Sequence, residues 1–365
     1  MAHEPIDLAP LLAPLETGEQ GAGVDLRLDY SATSPYQRLR DARAAARAEE
    51  RARDAEDESE GPPADGWRDV LSVGQEALSA HSKDIEIAAW LTEALVRMHG
   101  LPGLTAGAQL IAGLCEGFWD AGFPQPDEDG MEVRASPIGG LSGSSADGTI
   151  MQPLRRLPMF HRADGTGLGL YLWEQAEQTA GLPEDKRDAK YAAGAPDLPT
   201  LEAEARLDKA FLTGTWREAT AALQAWRELD RVVDARFGSD APSLRKVTNL
   251  LEQLLGVVAR LGGAPVADSA DEAAAATDGT GAGIATAAAS AGARGVLQTR
   301  EDALRELDRI AEYFRRTEPH SPLAYTLEEA VRRGRMSLAE LLMEVLPDQQ
   351  TRNGMLARLG MRPSE

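Results

Sequence analysis

Residues 82–126 read SKDIEIAAWLTEALVRMHGLPGLTAGAQLIAGLCEGFWDAGFPQP, and this stretch decides the fold. It predicts two helices in a hairpin. Ser82 suits the N-cap, and Asp84 and Glu86 put negative charge in the first turn, where the helix dipole favours it. Ile85, Ala88, Ala89, Ala94, Leu95 and Met98 supply apolar surface, and Trp90, Leu91 and Val96 add more on other sides. A helix that is apolar nearly all round is expected to be buried. His99-Gly100 ends it, and Pro102-Gly103 makes the turn. Leu104, Ala108, Ile111, Cys115 and Phe118 then recur in steps of four and three, one face of a second helix. Gly122 and Pro124 stop it. No group in the stretch is poised for chemistry, so it reads as the core of a helical domain.

Composition narrows the function classes. The 365 residues carry 38 Lys+Arg against 59 Asp+Glu, a net charge of −21. Such a chain repels phosphate backbones, which argues against nucleic-acid binding. Aromatic residues are only 5%, and alanine and leucine abound, which favours helices over sheets. The single cysteine, Cys115, excludes an intrachain disulfide framework and fits a reducing compartment. Its place on the apolar stripe marks a small buried hydrophobe. The first residues hold no basic region leading into an apolar run, and no long uncharged apolar stretch follows. The expectation is a cytoplasmic protein without membrane insertion.

Outward from the hairpin, the chain reads as mainly α. An N-terminal domain is expected over 1–178, with short extended or β segments near Pro153 and Pro158. Tyr36 to Glu60 is a helix dense in Arg, Ala and Glu, with Leu39 and Ala42 as a thin apolar stripe; its charges read as a solvated face. Asp65 is the expected N-cap of the next helix. Residues 124–148, rich in Pro, Gly, Asp and Ser, read as a loop. A middle helical bundle is expected over 199–261, where Thr215-Trp216-Arg217-Glu218 looks like a capping box. Residues 262–295 are almost all Ala, Gly, Thr, Asp and Ser and read as a flexible tether with an rms reach of roughly 30 Å. A small helical domain is expected over 296–365, with Ser321-Pro322 and Ser337-Leu338-Ala339-Glu340 as helix starts.

Chemical motifs are hard to assemble. Asp127, Asp129 and Gly130 lack the spacing of a calcium loop. Gly165, Gly167 and Gly169 lack the spacing of a dinucleotide fingerprint. The five histidines (His3, His81, His99, His161 and His320) form no metal-ligand spacing, and no P-loop or nucleophile elbow occurs. Glu318, His320 and Ser321 are neighbours in sequence, but a catalytic triad needs convergence in space. No cofactor is expected. Arg315, Arg316, Arg332, Arg333 and Arg335 form a basic cluster, readable as a solvated face or as an intersubunit or partner contact.

The ordered run Ser82-Lys83-Asp84, Ala89-Trp90-Leu91-Thr92-Glu93-Ala94-Leu95, Gly100, Gly103-Leu104, Phe118-Trp119-Asp120 and Pro124 closely resembles the N-terminal domain of the TssA family, also called ImpA, of bacterial type VI secretion systems. Gly23-Val24-Asp25-Leu26-Arg27, Trp67-Arg68 with Val70, and the region from Leu229 to Leu244 are similar to the same family. So is Phe314-Arg315-Arg316 with Glu318-Pro319 and Ser321-Pro322. The resemblance implies a structural assembly protein, not an enzyme. It would help build the baseplate and organise the tail tube and sheath, as a ring-like homo-oligomer held by its C-terminal part. Implied partners are the baseplate, tube and sheath proteins and the membrane complex. Some longer members end in a hydrophobic anchor; the end of this sequence, Arg362-Pro363-Ser364-Glu365, resembles the short form. A helical enzyme using the Glu318–Ser321 region, or a general helical adaptor for unrelated partners, are the competing classes.

Overall fold

The computed structural model describes residues 5–31, 33–55, 63–128, 130–264, 300–317, 322–336 and 344. The chain divides into two compact units, 1–273 and 274–365. In the first, α1 (Ala9–Leu12), α2 (Pro35–Ala55) and α3 (Gly66–Ala80) precede the hairpin stretch, α4 (Ile85–Gly117). Then come α5 (Glu132–Ser142), α6 (Met151–Arg156), the antiparallel pair β1 (Pro158–His161) and β2 (Gly167–Gly169), α7 (Leu170–Ala180), α8 (Glu184–Ala192), α9 (Leu198–Leu207), α10 (Lys209–Phe237) and α11 (Arg245–Arg260). In the second unit lie α12 (Arg300–Thr317) and α13 (Pro322–Arg335). The fold is mainly α. Among the described residues no helix is long and apolar enough to cross a membrane.

The hairpin forms because α4 breaks at Gly100, whose φ of 60° and ψ of −133° suit a residue without a Cβ. The second arm opens one residue later, with Pro102 in its first turn, where the missing N–H costs nothing. It folds back along the first. A Cβ on Gly103 would lie 2.0 Å from the Leu95 carbonyl oxygen, and one on Gly107 would lie 2.4 Å from Thr92 Cγ2. The two pairings run in opposite directions, as antiparallel arms require. Ile87, Leu91, Leu95, Leu104, Ala108 and Ile111 are all fully buried. Cys115 is buried too, and burial pushes its thiol up to about 12.

Several local expectations change. The N-cap of α4 is Asp84, not Ser82: the Asp84 carboxylate accepts from the amides of Glu86 and Ile87 at 2.8 and 3.2 Å. Ser82 instead bridges to Gly23. Asp65 makes no capping bond to α3. Within the expected loop 124–148, α5 forms because Ala135, Ile138 and Leu141 bury against the core, which outweighs Pro137 and two glycines. Residues 151–156 are helical rather than extended; Pro153 sits in the first turn, where proline is tolerated. Pro158 opens β1, a position that needs no ladder amide. Polar residues 184–192 form α8. Thr215 caps nothing: α10 starts at Lys209, and the Thr215 hydroxyl donates to the Met159 carbonyl at 3.2 Å.

The segment 199–261, expected as a bundle of its own, shares the core of the residues before it, which runs from Ile6 to Leu261. The long helix α10 lies on α4: the Phe237 ring meets Trp119 edge-on at 4.9 Å, and Arg236 donates to the Glu116 carbonyl at 3.0 Å. Another side of α10 packs on α11, with Trp226 Nε1 donating to the Leu244 carbonyl at 3.1 Å. Beyond residue 264 the expected tether lies outside the described residues, as do Thr299, Glu318, His320, Ser321 and the capping box at 337–340. In the second unit, Leu304 and Ala311 of α12 and Ala324 and Val331 of α13 are buried. A Cβ on Gly334 would lie 2.7 Å from Leu304 Cδ2.

Candidate functional site

The polar side chains on the first arm of α4 form a hydrogen-bonded seam with α2. Glu86, Trp90, Glu93 and Arg97 follow one another at intervals of four, three and four, so they share a stripe. On α2, Tyr36, Arg43 and Glu50 recur every seven residues. The two stripes meet in register. The Tyr36 hydroxyl donates to Glu86 at 2.9 Å. Arg43 grips Glu93 bidentately at 2.9 and 2.7 Å and lies over the Trp90 ring. Glu50 accepts from Arg97 Nε and from Trp67 Nε1, both at 2.7 Å. Partner numbers rise together, so α2 and this arm run parallel. Arg97 also donates to the Thr149 carbonyl at 3.1 Å and stacks 4.2 Å from the Trp67 ring centroid. The charges of α2, expected to be solvated, therefore face inward at Arg43 and Glu50. The heptad spacing beside buried Leu39 and Ala46 was the signal available in the sequence.

The motif residues at the ends of the hairpin act as staples. Arg27 pairs with Asp84 and lies 3.8 Å from Glu86, while Asp25 accepts from the Arg27 amide at 3.0 Å. Burial pushes the Asp84 carboxyl up to about 6, against the opposing pull of Arg27 and the helix amides. Burial and the neighbouring Glu86 also raise the Tyr36 hydroxyl. Gly23, at φ 79°, lets the strand-like turn approach His81: a Cβ there would stand 2.0 Å from the His81 carbonyl oxygen. Lys83 is buried and donates to the carbonyls of Leu11 and Leu78 at 2.8 and 2.6 Å, tying α1 to the C-terminal end of α3; burial lowers it to about 8. Buried Arg134 of α5 donates to the carbonyls of Trp119, Gly122 and Pro124, closing the far end of the hairpin.

These contacts are structural. They immobilise helices, and none leaves a nucleophile beside a base. His161 and Asp208 approach at 3.0 Å on the surface against Phe211. Among the described residues no group of three His, Cys, Asp or Glu side chains could hold a metal. Asp127 and Gly130 pair across a turn, while Asp129 lies outside the described residues.

In the C-terminal unit the arginine cluster is largely paired internally. Arg315 of α12 pairs with Glu328 of α13, and Arg335 of α13 with Asp308 of α12 at 3.5 Å. Arg332 meets Glu329 and Glu344, both at 2.6 Å, and Arg333 meets them at 2.9 and 3.0 Å. Arg316 is exposed. The cluster thus joins two antiparallel helices before it can serve any partner.

Three comparisons bear on this arrangement. The family model described as "ImpA, N-terminal, type VI secretion system" matches residues 12–143. The type VI secretion system component TssA1 of Pseudomonas aeruginosa is 29% identical over 287 residues, covering 77% of this chain and 80% of that protein. A solved structure, the N-terminal domain including the conserved ImpA_N region of the TssA component from Burkholderia cenocepacia, aligns with a TM-score of 0.57 at 30% identity. That alignment covers 72% of this chain and 95% of the solved one.

Proposed function

Because the chain belongs to the TssA (ImpA) family of type VI secretion system components, we propose that it is a structural assembly component that helps build the baseplate and organise tail tube and sheath polymerisation. It acts in the cytoplasm without turning over a substrate. It works as a ring-like homo-oligomer held by the C-terminal unit, and it contacts baseplate, tube and sheath proteins and the membrane complex. The observation that carries this reading is the extent of the likeness: it spans most of the chain and most of each relative. The use of the motif residues fits, since Arg27, Lys83, Asp84 and Glu93 hold helices together, as Arg134 does beside them. Ile310 and Tyr325, exposed on α12 and α13, offer apolar surface for subunit contacts.

Deleting 296–365 should convert the oligomer to smaller species by light scattering; an unchanged mass removes the ring assignment. Pull-down with sheath and baseplate proteins should recover the full chain. If those proteins are not retained while unrelated ones are, the adaptor reading replaces this one.

A further inference from the structure

One face of the N-terminal unit departs from the acidity of the chain. A groove of about 620 Å³ runs between the C-terminal half of α2, α4, α6 and β2. Five arginines line it (Arg47, Arg51, Arg53, Arg97 and Arg156) against three carboxylates. Those carboxylates are already engaged: Glu50 by Arg97, Asp54 by Arg156 at 2.8 Å, and Asp147 by Arg155 and Lys246. Arg47 and Arg51 have no hydrogen bond or ion pair among the described residues. They stand one helical turn apart, on neighbouring positions of one face. Arg47 is half-buried, and Glu93, the acid whose charge acts on it, is held bidentately by Arg43. A half-buried guanidinium without a counter-ion is costly, so this wall calls for an anion. Pro63, Leu157 and Tyr171 add apolar surface to the lining beside the cations.

We propose that this groove binds an acidic peptide segment of a partner protein, with carboxylates on Arg47 and Arg51 and an apolar side chain beside them. Guanidinium forks match carboxylates bidentately, and a bare phosphate would leave the apolar wall unused. The inference goes beyond the assembly role proposed above and does not require it, since charge and shape alone carry it. The chain's own Glu56, Asp57, Glu58 and Glu60 follow α2 in sequence and lie outside the described residues. They are the competing occupant.

The test is fluorescence anisotropy on the full chain at low salt. The probe is a fluorescein-labelled peptide Gly-Glu-Leu-Glu-Glu-Leu-Asp-Gly, and its control carries amides for acids. The acidic probe should bind and be released by salt, and the control should bind at least tenfold more weakly. Arg47→Gln with Arg51→Gln should weaken binding about tenfold without lowering the thermal midpoint, because neither residue has a partner to lose among the described residues. Arg316→Gln, in the other unit, should change nothing. The proposal is overturned if the acidic probe does not bind, or if the double variant binds as wild type does. It is equally overturned if inorganic phosphate or a single-stranded oligonucleotide displaces the probe at lower concentration than unlabelled peptide does. Tenfold tighter binding after amide replacement of Glu56, Asp57, Glu58 and Glu60 would assign the groove to the chain's own segment and overturn it as well.

Discussion

Replacing Gly103 by alanine tests the hairpin directly. The new Cβ would stand 2.0 Å from the Leu95 carbonyl oxygen, 2.5 Å from its carbon and 3.1 Å from the Val96 nitrogen. All three are backbone atoms of the first arm, so no rotamer change relieves the overlap. Restoring a normal contact of about 3.5 Å means moving the arms apart by more than about 1 Å, enough to forfeit much of the dispersion between them. Leu91, Leu95, Leu104 and Ala108 are fully buried around that contact. Overpacking of this kind costs roughly 1–3 kcal/mol and sometimes more, and the gain in helix propensity returns about 0.8 kcal/mol at most. The expected net destabilisation is roughly 1–2 kcal/mol. All six tryptophans (Trp67, Trp90, Trp119, Trp173, Trp216 and Trp226) lie in the first unit, so urea unfolding followed by tryptophan fluorescence reports on that unit alone. Gly256 on the exposed side of α11 is the internal standard. A Cβ there meets nothing within 4 Å, so Gly256→Ala should stabilise by about 0.5–1 kcal/mol. Gly107→Ala overlaps a side chain instead, and Thr92→Ala should relieve part of its cost. If Gly103→Ala lies within about 0.5 kcal/mol of wild type, the arms are not packed as described.

Other substitutions probe the polar seam and the buried groups. Glu93→Gln leaves Arg43, only 21% exposed, without its bidentate partner; a loss of about 2–3 kcal/mol is expected, and replacing both residues by leucine should recover most of it. A double variant no better than the single one contradicts that account. For Asp84 the sign follows from a carboxyl raised in the fold from 3.8 to about 6. The native state holds a proton that the unfolded chain releases, so the contribution is fully present below pH ~4 and is lost as pH rises through about 6. The stability difference between wild type and Asp84→Asn should therefore fall by about 2 kcal/mol from pH 4 to 6.5; a flat difference, measured by urea titration at each pH, rules this out. Cys115, with its thiol pushed up to about 12, should resist a thiol reagent at pH 8 in the native protein and react only on unfolding. Rapid labelling without denaturant would show that its site opens.

Helix identity was legible wherever apolar spacing was strong, as in α4, α10 and α11, because a period near 3.6 is a property of one segment. The stop at Gly100 was equally local, since only backbone freedom is required there. The same reading misplaced Asp84, α5 and the start of α10. Ser82 and Thr215 have side chains competent to cap, and what they do instead depends on Gly23 and Met159, partners remote in sequence. The inward aim of Arg43 and Glu50 likewise depends on the stripe they meet on α4.

The sequence by itself determined that this is a helical protein, where its principal turn lies, and which surfaces are apolar enough to need covering. Which helices cover one another, and which charges are neutralised inside and which are left to face solvent, was decided by tertiary structure. Local propensity and patterning act within a turn or two of helix. A hydrogen-bond partner or counter-ion fifty residues away is selected only when the packed chain brings it within reach, as Arg43 is brought to Glu93.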